Sequence, residues 1–262
     1  MDSGNIGFVL LCAAFVFVMT PGLAMFYGGL VRKKNVVNTM MTSIFIIGVG
    51  IVMWVLFGYS LSFAPSGNAF IGDFRWLGLE GVSLTEGYTD DASIPNMVFS
   101  AFQMMFAVIT PALITGAVAG RMKFKSIFVF TIFWSLIVYY PLAHMVWGQG
   151  GLLGADGIGA LDFAGGDVVH ISSGVSALVL CILLGKRHDY EHSIYRIHNI
   201  PTVVLGASLL MFGWFGFNAG SALAADGLAA HAFMTTGVSA AAAMLSWMPV
   251  SYTHLTLPTT SR

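Results

Sequence analysis

Seven long apolar segments alternate with short polar ones along this chain of 262 residues. Each apolar segment reaches or approaches the ~20 residues that an α-helix needs to cross a hydrocarbon core of ~30 Å. No alternating strand pattern accompanies them, so we interpret all seven as membrane-spanning helices. The predicted spans are 6–31, 38–63, 95–119, 126–148, 163–184, 200–222 and 227–250.

The composition supports this interpretation. Hydrophobic residues make up 57% of the chain and charged residues only 9%, with a mean hydropathy of +0.83. A soluble domain carries about 25% charged residues. The predicted fold class is therefore an all-α polytopic membrane protein without a soluble domain. The first span follows Met1–Asn5, which has no basic region typical of a signal peptide, so we expect this span to stay in the mature protein.

The basic residues predict one orientation. Nine of the eleven Lys and Arg residues lie in the loops after spans one, three and five. Because cytoplasmic loops are enriched in Lys and Arg, all nine belong on the cytoplasmic side, which places the N-terminus and the loop 64–93 outside. The three basic groups are Arg32, Lys33 and Lys34; Arg121, Lys123 and Lys125; and Lys186, Arg187 and Arg196.

Charged and titratable residues interrupt span five in the stretch LDFAGGDVVHISSG, 161–174. His170 lies about 10 Å below the outer end of the span, at 1.5 Å per helical residue. An ionisable group at that depth favours a functional role, and the alternative is a neutral imidazole hydrogen-bonded between packed helices. Asp167, three residues earlier, shares its face of an α-helix. Asp162 precedes the apolar part and is by residue type a helix N-cap, with attraction of an entering cation as a second role.

Aromatic residues mark the outer ends of the other spans. Trp147 ends span four, Phe102 and Phe106 lie near the start of span three, and Phe217 and Ser221 lie near the outer end of span six. Such aromatics often form belts that face lipid headgroups, but the neighbouring glycines favour contact with other helices. An aromatic surface with a hydroxyl acceptor suits a small cation that donates hydrogen bonds.

Four segments resemble the ammonium transporter family, which includes bacterial ammonium channels, yeast ammonium permeases and, more distantly, Rhesus proteins. The segments are MTPGLAMFYGGLVRKKN (19–35), PLAHMVWG (141–148), LDFAGGDVVHISSG (161–174) and GWFGFNAGSA (213–222). The resemblance covers nearly the whole chain up to about residue 250. It implies a fold of eleven helices, an inverted repeat of five plus five, and a homotrimer with one pore in each protomer.

The resemblance also implies roles for individual residues. Phe106 and Phe217 match a paired phenylalanine gate, and His170 matches the first of two pore histidines. The outer site that recruits ammonium corresponds to Trp147, Ser221, Phe102 and Asp162. The implied substrates are ammonium, ammonia and methylammonium, with no cofactor and no metal. Ammonium can enter an apolar pore by releasing its proton, whereas potassium cannot lose its charge, and this difference is the expected basis of selectivity.

The chain departs from the family pattern after span seven. Four helices of the implied fold and the second pore histidine are not in this sequence, so we expect a truncation after about residue 250 and an open flank beside the pore. The ending SYTHLTLPTTSR (251–262) resembles nothing in the family, and we interpret it as a non-native tail. The site for a regulator of the PII type, implied for the family's cytoplasmic tail, is then absent as well.

A sensor and a non-conducting fragment are alternatives to a transporter, whereas a retinal protein and an enzyme fit the sequence poorly. An ammonium sensor with little flux would share the outer site, and a truncated fragment would not conduct. A retinal protein with seven helices would need a lysine in the last helix, yet the last lysine is Lys186 in a loop. No catalytic triad, metal cluster or phosphate loop favours an enzyme, and nothing favours a nucleic-acid partner. We therefore predict a multi-pass transporter of the plasma membrane.

Overall fold

A computed structural model of the chain describes residues 1–65, 67–155, 157–187, 190 and 196–254. Seven long apolar helices cross this part of the chain and no strand occurs in it, which confirms the predicted fold class. The helices lie where the seven spans are predicted, with ends that differ by a few residues. They are α1 (Ser3–Leu30), α2 (Lys33–Phe63), α3 (Asn96–Val118), α4 (Phe124–Trp147), α5 (Gly166–Leu184), α6 (Ile200–Gly220) and α7 (Gly227–His254).

Residues 251–254 of the segment predicted as a non-native tail continue α7. The remaining residues of that segment, 255–262, lie outside the described residues. The origin of the segment stays a prediction.

Helices α1 and α6 pack closely through glycines. A Cβ atom added to Gly206 of α6 would overlap the backbone nitrogen of Phe26 in α1. At Gly216, one added Cβ would lie 2.7 Å from the Cβ of Phe15. Small residues allow this close approach, which supplies the van der Waals contact that holds helices together in a lipid environment.

Three of the helices contain a widened π-helical turn, at Trp54–Gly58, Ser135–Tyr139 and Gly166–Ile171. The second of these turns precedes Pro141, which lacks a backbone N–H and whose ring would clash with the carbonyl four residues back in a regular α-helix. The wider turn removes that conflict. Regular helices are what the sequence predicts here, so these turns are a departure from the expectation.

The third π turn carries the two inner titratable residues of the stretch 161–174. His170 donates its backbone N–H to the carbonyl of Gly165 at 2.9 Å, a bond over five residues. The alignment predicted for Asp167 above His170 belongs to an α-helix and does not hold in the wider turn. Single π turns in helices are frequent at functional sites.

Aromatic stacking orders the long outer loop between α2 and α3. The ring of Trp76 stacks on Tyr59 with 5.3 Å between centroids, and Tyr88 stacks on Phe99 at 4.8 Å. Gln149 anchors the same region, because its backbone N–H donates to the Tyr88 hydroxyl at 3.0 Å and its side-chain amide to the Tyr88 carbonyl at 2.9 Å. The loop is thereby fixed over the end of the bundle.

Asn5 ties three parts of the chain together at this end. Its Nδ2 donates to the Oγ of Ser93 in the outer loop at 2.9 Å, and its Oδ1 accepts from the backbone N–H of Ala225 at 2.9 Å. At the opposite end of the bundle, Nη1 of Arg121 donates to the carbonyl of Gly185 at 2.7 Å and joins the ends of α3 and α5. The acidic loop and the three basic groups therefore lie at opposite ends, as the predicted topology requires.

Candidate functional site

A cavity of about 440 Å³ opens at the predicted outer end of the bundle. Five of the seven predicted site residues line it, and the outer loop completes its wall with Tyr88, which the sequence did not single out. Helices α3, α4 and α6 and the start of α5 thus meet around one chamber. The five residues are Phe102, Phe106, Trp147, Asp162 and Ser221.

Asp162 caps helix α5 with its carboxylate. Oδ1 accepts the backbone N–H groups of Gly165 and Gly166 at 2.5 and 2.9 Å, and Oδ2 accepts those of Asp167 and Val168 at 2.8 and 2.9 Å. Four donors that the helix itself leaves unpaired are satisfied by one side chain, as expected for a cap, although Gly165 rather than Asp162 occupies the N-cap position. The negative charge is directed at the positive end of the helix dipole, which leaves Asp162 as a positioning residue.

Trp147 ends α4 and forms one wall of the cavity. Its Nε1–H donates to the backbone carbonyl of Asp162 at 3.0 Å, and its ring stands edge to face with Phe106 at 6.0 Å between centroids. The polar edge of the indole is therefore already used within the protein. What Trp147 offers to a ligand is the electron-rich surface of its ring.

Ser221 follows the last turn of α6 and faces the cavity from that helix. Its Oγ lies 2.9 Å from the carbonyl oxygen of Phe217. A carbonyl can only accept a hydrogen bond, so the hydroxyl proton of Ser221 is committed to it. The lone pairs of Oγ are left for a donor in the cavity.

Two phenylalanine rings pack against each other beside the cavity, and one of them, Phe106, also lines it. Phe106 and Phe217 lie 4.3 Å apart between centroids with a 37° angle between their planes, and each is 1% exposed. Phe102 packs edge to face on Phe106 at 5.0 Å. The contacts among these three rings involve apolar carbon alone.

His170 contacts this aromatic pair through Phe217 and is not among the residues that line the cavity. Its ring is 6.0 Å from Phe217 and stacks nearly parallel on Trp214, with 5.6 Å between centroids and 5° between planes. Trp214 is a member of the site that the sequence reasoning missed. Its spacing from Phe217 and Ser221, three and seven residues, places all three on one face of α6 and could have revealed it.

Comparison with known proteins identifies the family. Residues 7–260 match the model of the Ammonium Transporter Family. An ammonium transporter of Bacillus subtilis is 51% identical over 252 residues, which are 96% of this chain and 61% of the relative. The crystal structure of Candida albicans Mep2 superposes with a TM-score of 0.86 at 33% identity over 96% of this chain and 55% of that one.

A second similar structure is titled Sensor Amt Protein. It has a TM-score of 0.83 and 29% identity, and the match covers 96% of this chain and 62% of that one. The chain thus spans about three fifths of the length of the relatives it matches.

The fold and the site define a polytopic helical membrane protein with an aromatic cavity at one end of its bundle, beside the contact between Phe106 and Phe217. The chain belongs to the ammonium transporter family. These relatives are named ammonium transporters, which confirms the prediction of a transporter family rather than an enzyme family. The family and the seven apolar helices also confirm a multi-pass protein of the plasma membrane.

Proposed function

We propose that this chain moves ammonium or ammonia across the plasma membrane, with the cavity at Trp147 and Ser221 as the recruitment site. The observation that carries the proposal is the hydrogen bond from Ser221 to the carbonyl of Phe217, which turns the hydroxyl oxygen into an acceptor. An acceptor beside an indole ring attracts a cation that has N–H groups to donate. Phe102 and Asp162 complete the site, the first as a wall and the second by holding Trp147.

The paired rings of Phe106 and Phe217 form the gate in this proposal. Their contact at 4.3 Å offers no polar atom to replace the hydration shell of an ion, so an ion that enters meets a large desolvation penalty. Ammonium avoids that penalty by transferring one proton to water in the open cavity and passing the gate as ammonia. Potassium has no such step, and the gate excludes it.

His170 receives the neutral species beyond the gate. Its ring lies 6.0 Å from Phe217 and is stacked on Trp214, which leaves the ring nitrogens at the edge of the stack. A neutral imidazole carries one donor and one acceptor nitrogen, and both suit ammonia. Flux measured together with membrane current distinguishes ammonia from ammonium as the net transported species.

Uptake of labelled methylammonium tests the proposal. Cells that lack their own ammonium transport and express this chain should take up methylammonium in a saturable manner, and Trp147→Leu should lower uptake at low substrate by about tenfold, since a desolvated cation–π contact contributes ~2 kcal/mol or less. Trp247→Leu is the matched control, because Trp247 is 70% exposed on α7 and is not among the residues that line the cavity. No uptake by chain that has reached the membrane would contradict the proposal.

A sensor is the second candidate function, and the similarity to the structure titled Sensor Amt Protein favours keeping it. A sensor would bind ammonium in the same cavity without appreciable flux. Binding to the purified chain, measured beside uptake by the same variant set, separates the two functions. Binding that depends on Trp147 in the absence of uptake supports the sensor.

We also propose that the chain forms the homotrimer implied by its family. Exposed apolar side chains such as Leu183 (77%) and Met234 (63%) give α5 and α7 surfaces that suit lipid or another protomer. Native mass spectrometry after mild extraction tests the stoichiometry, and a monomer at all protein concentrations would contradict it. The contact with a regulator of the PII type stays a prediction.

A further inference from the structure

Gln103 on α3 lines the cavity between the two phenylalanines already described, Phe102 and Phe106. Its side chain is 9% exposed, and its Oε1 is buried with no hydrogen-bond donor among the described residues. Buried polar side-chain atoms have a partner in the large majority of cases. An amide oxygen without one, in the wall of the recruitment site, therefore needs an explanation.

Other buried polar side chains of α3 do have partners. Ser100 accepts from the indole of Trp54 at 3.3 Å, and Thr110 donates to the carbonyl of Phe106 at 2.6 Å. Asn96 accepts from the hydroxyl of Tyr59. Gln103, a residue that lines the cavity, is thus the exception on this helix, because its buried Oε1 has no partner in the described part of the chain. If Gln103 only filled space, leucine or methionine would do so without an unpaired oxygen.

We infer that Gln103 determines specificity by accepting a second N–H of the cation held at Trp147 and Ser221. This inference rests on the proposed recruitment of ammonium. The last torsion of a glutamine side chain is soft, so the amide oxygen turns toward a cation at small cost. Acceptors on α3 and α6, with the indole ring on α4, then approach the cation from three helices.

With two acceptors, the affinity of the site depends on how many N–H groups the cation carries. Ammonium has four, and each added methyl group removes one donor. Dimethylammonium, with two N–H groups, still satisfies both Gln103 and Ser221, whereas trimethylammonium satisfies only one of them. Affinity should therefore fall between the dimethyl and the trimethyl ion. Without Gln103, the affinity should instead fall between trimethylammonium and tetramethylammonium.

Binding isotherms of the purified full chain in detergent test this inference at pH 7 and constant ionic strength. The probes are the chlorides of ammonium and of the dimethyl, trimethyl and tetramethyl ions. Gln103→Leu should weaken ammonium and dimethylammonium by about tenfold, a typical effect of one hydrogen bond to a charged group, and leave trimethylammonium unchanged. Gln103→Glu keeps an acceptor and should retain the fall between the dimethyl and trimethyl ions.

The outcomes separate this inference from the proposed function. Equal ammonium affinity of Gln103→Leu and the parent, while Trp147→Leu weakens binding, overturns the role of Gln103 alone. A folded parent chain that binds no ammonium overturns both. Loss of an unpaired buried oxygen should not lower the unfolding temperature, and Gln103→Met serves as a second apolar variant. Unfolding of both variants would show that Gln103 is structural and would also overturn the inference.

Discussion

The backbone carbonyl of Asp162 accepts the indole N–H of Trp147 at 3.0 Å, while the carboxylate of the same residue caps α5 with four hydrogen bonds. One residue thus fixes the end of α4, the start of α5 and the ring that forms a wall of the cavity. The negative charge of Asp162 is directed at four backbone N–H groups. In the proposed transporter, Asp162 acts on the cation through the position of Trp147 and not through its own negative charge.

Removal of this cap should be costly. Asp162→Ala leaves four helix N–H groups unpaired, and we expect a loss of stability above the ~0.5–2 kcal/mol of an ordinary cap. Asp226 is the matched control, since its Oδ1 accepts a single bond, from Ala229 at 2.9 Å, at the start of α7. The unfolding temperature in detergent should fall further for Asp162→Ala than for Asp226→Ala. Equal shifts would show that the extra bonds contribute nothing.

Much of this fold could be predicted because the signal does not depend on tertiary contacts. The length and apolarity of a segment such as Asn96–Val118 are sufficient to identify a span, whatever it packs against. The site residues were found differently, through the motifs around Trp147, His170 and Phe217. The structure brings the first and third of these to the same aromatic cluster and places His170 beside it.

The features that could not be predicted from the sequence depend on the packing of the folded chain. The π turn Gly166–Ile171 changes the position of His170 relative to Asp167, and the sequence pattern of an apolar span does not distinguish this wider turn from a regular α-helix. Tyr88 enters the cavity wall because a loop of about thirty residues folds back and stacks it on Phe99. Gln103 looks like an ordinary helix residue until the lack of a donor to its oxygen is known.

The aromatic gate predicts a change in ion selectivity. Replacement of Phe217 or Phe106 by alanine opens the contact between the rings and should admit water and potassium, because hydration then extends through the gate. Rubidium uptake into cells that express each variant measures this, after correction for the amount of protein in the membrane. Phe63→Ala is the control, since Phe63 is fully buried but its ring packs on other aromatic residues, such as Phe99, and not on Phe106 or Phe217. Rubidium exclusion by both gate variants would contradict the assigned gate.

The glycine contact between α1 and α6 predicts a position-dependent effect of one methyl group. Gly206→Ala places a Cβ against the backbone of Phe26 and should destabilise the protein by ~1–3 kcal/mol, the usual cost of overpacking. Gly48→Ala, at a helix position with open space around the added Cβ, should stabilise it by ~0.5–1 kcal/mol. Thermal unfolding of the two variants should therefore shift in opposite directions. A shift in the same direction would show that this helix contact is looser than described.

Because the phenol of Tyr88 is partly buried, we expect the outer loop to lose stability at alkaline pH. Burial raises the pKa of Tyr88 to about 12 from its ordinary value of 10.0. A phenol with a raised pKa contributes stability that is complete below the unfolded pKa and is lost as the pH rises through the folded one. The loop should therefore loosen between about pH 10 and pH 12.

Phenolate absorbance measured against pH tests this prediction. Subtraction of the curve of Tyr88→Phe from that of the parent should isolate one group that titrates near the raised value. Tyr190→Phe, a change at an exposed position, serves as the control. A difference curve for Tyr88 centred on its ordinary value of 10.0 would contradict its burial in the ordered loop.

The central claim is that ammonium enters by binding to the aromatic ring of Trp147 and the acceptor oxygen of Ser221. Ammonium flux into proteoliposomes that contain only this chain tests this claim most directly. The account predicts a saturable influx that an equal concentration of potassium does not reduce and that is lost in the double variant Trp147→Leu/Ser221→Ala. Influx that potassium reduces as strongly as methylammonium does, or an unchanged influx in the double variant, would contradict it.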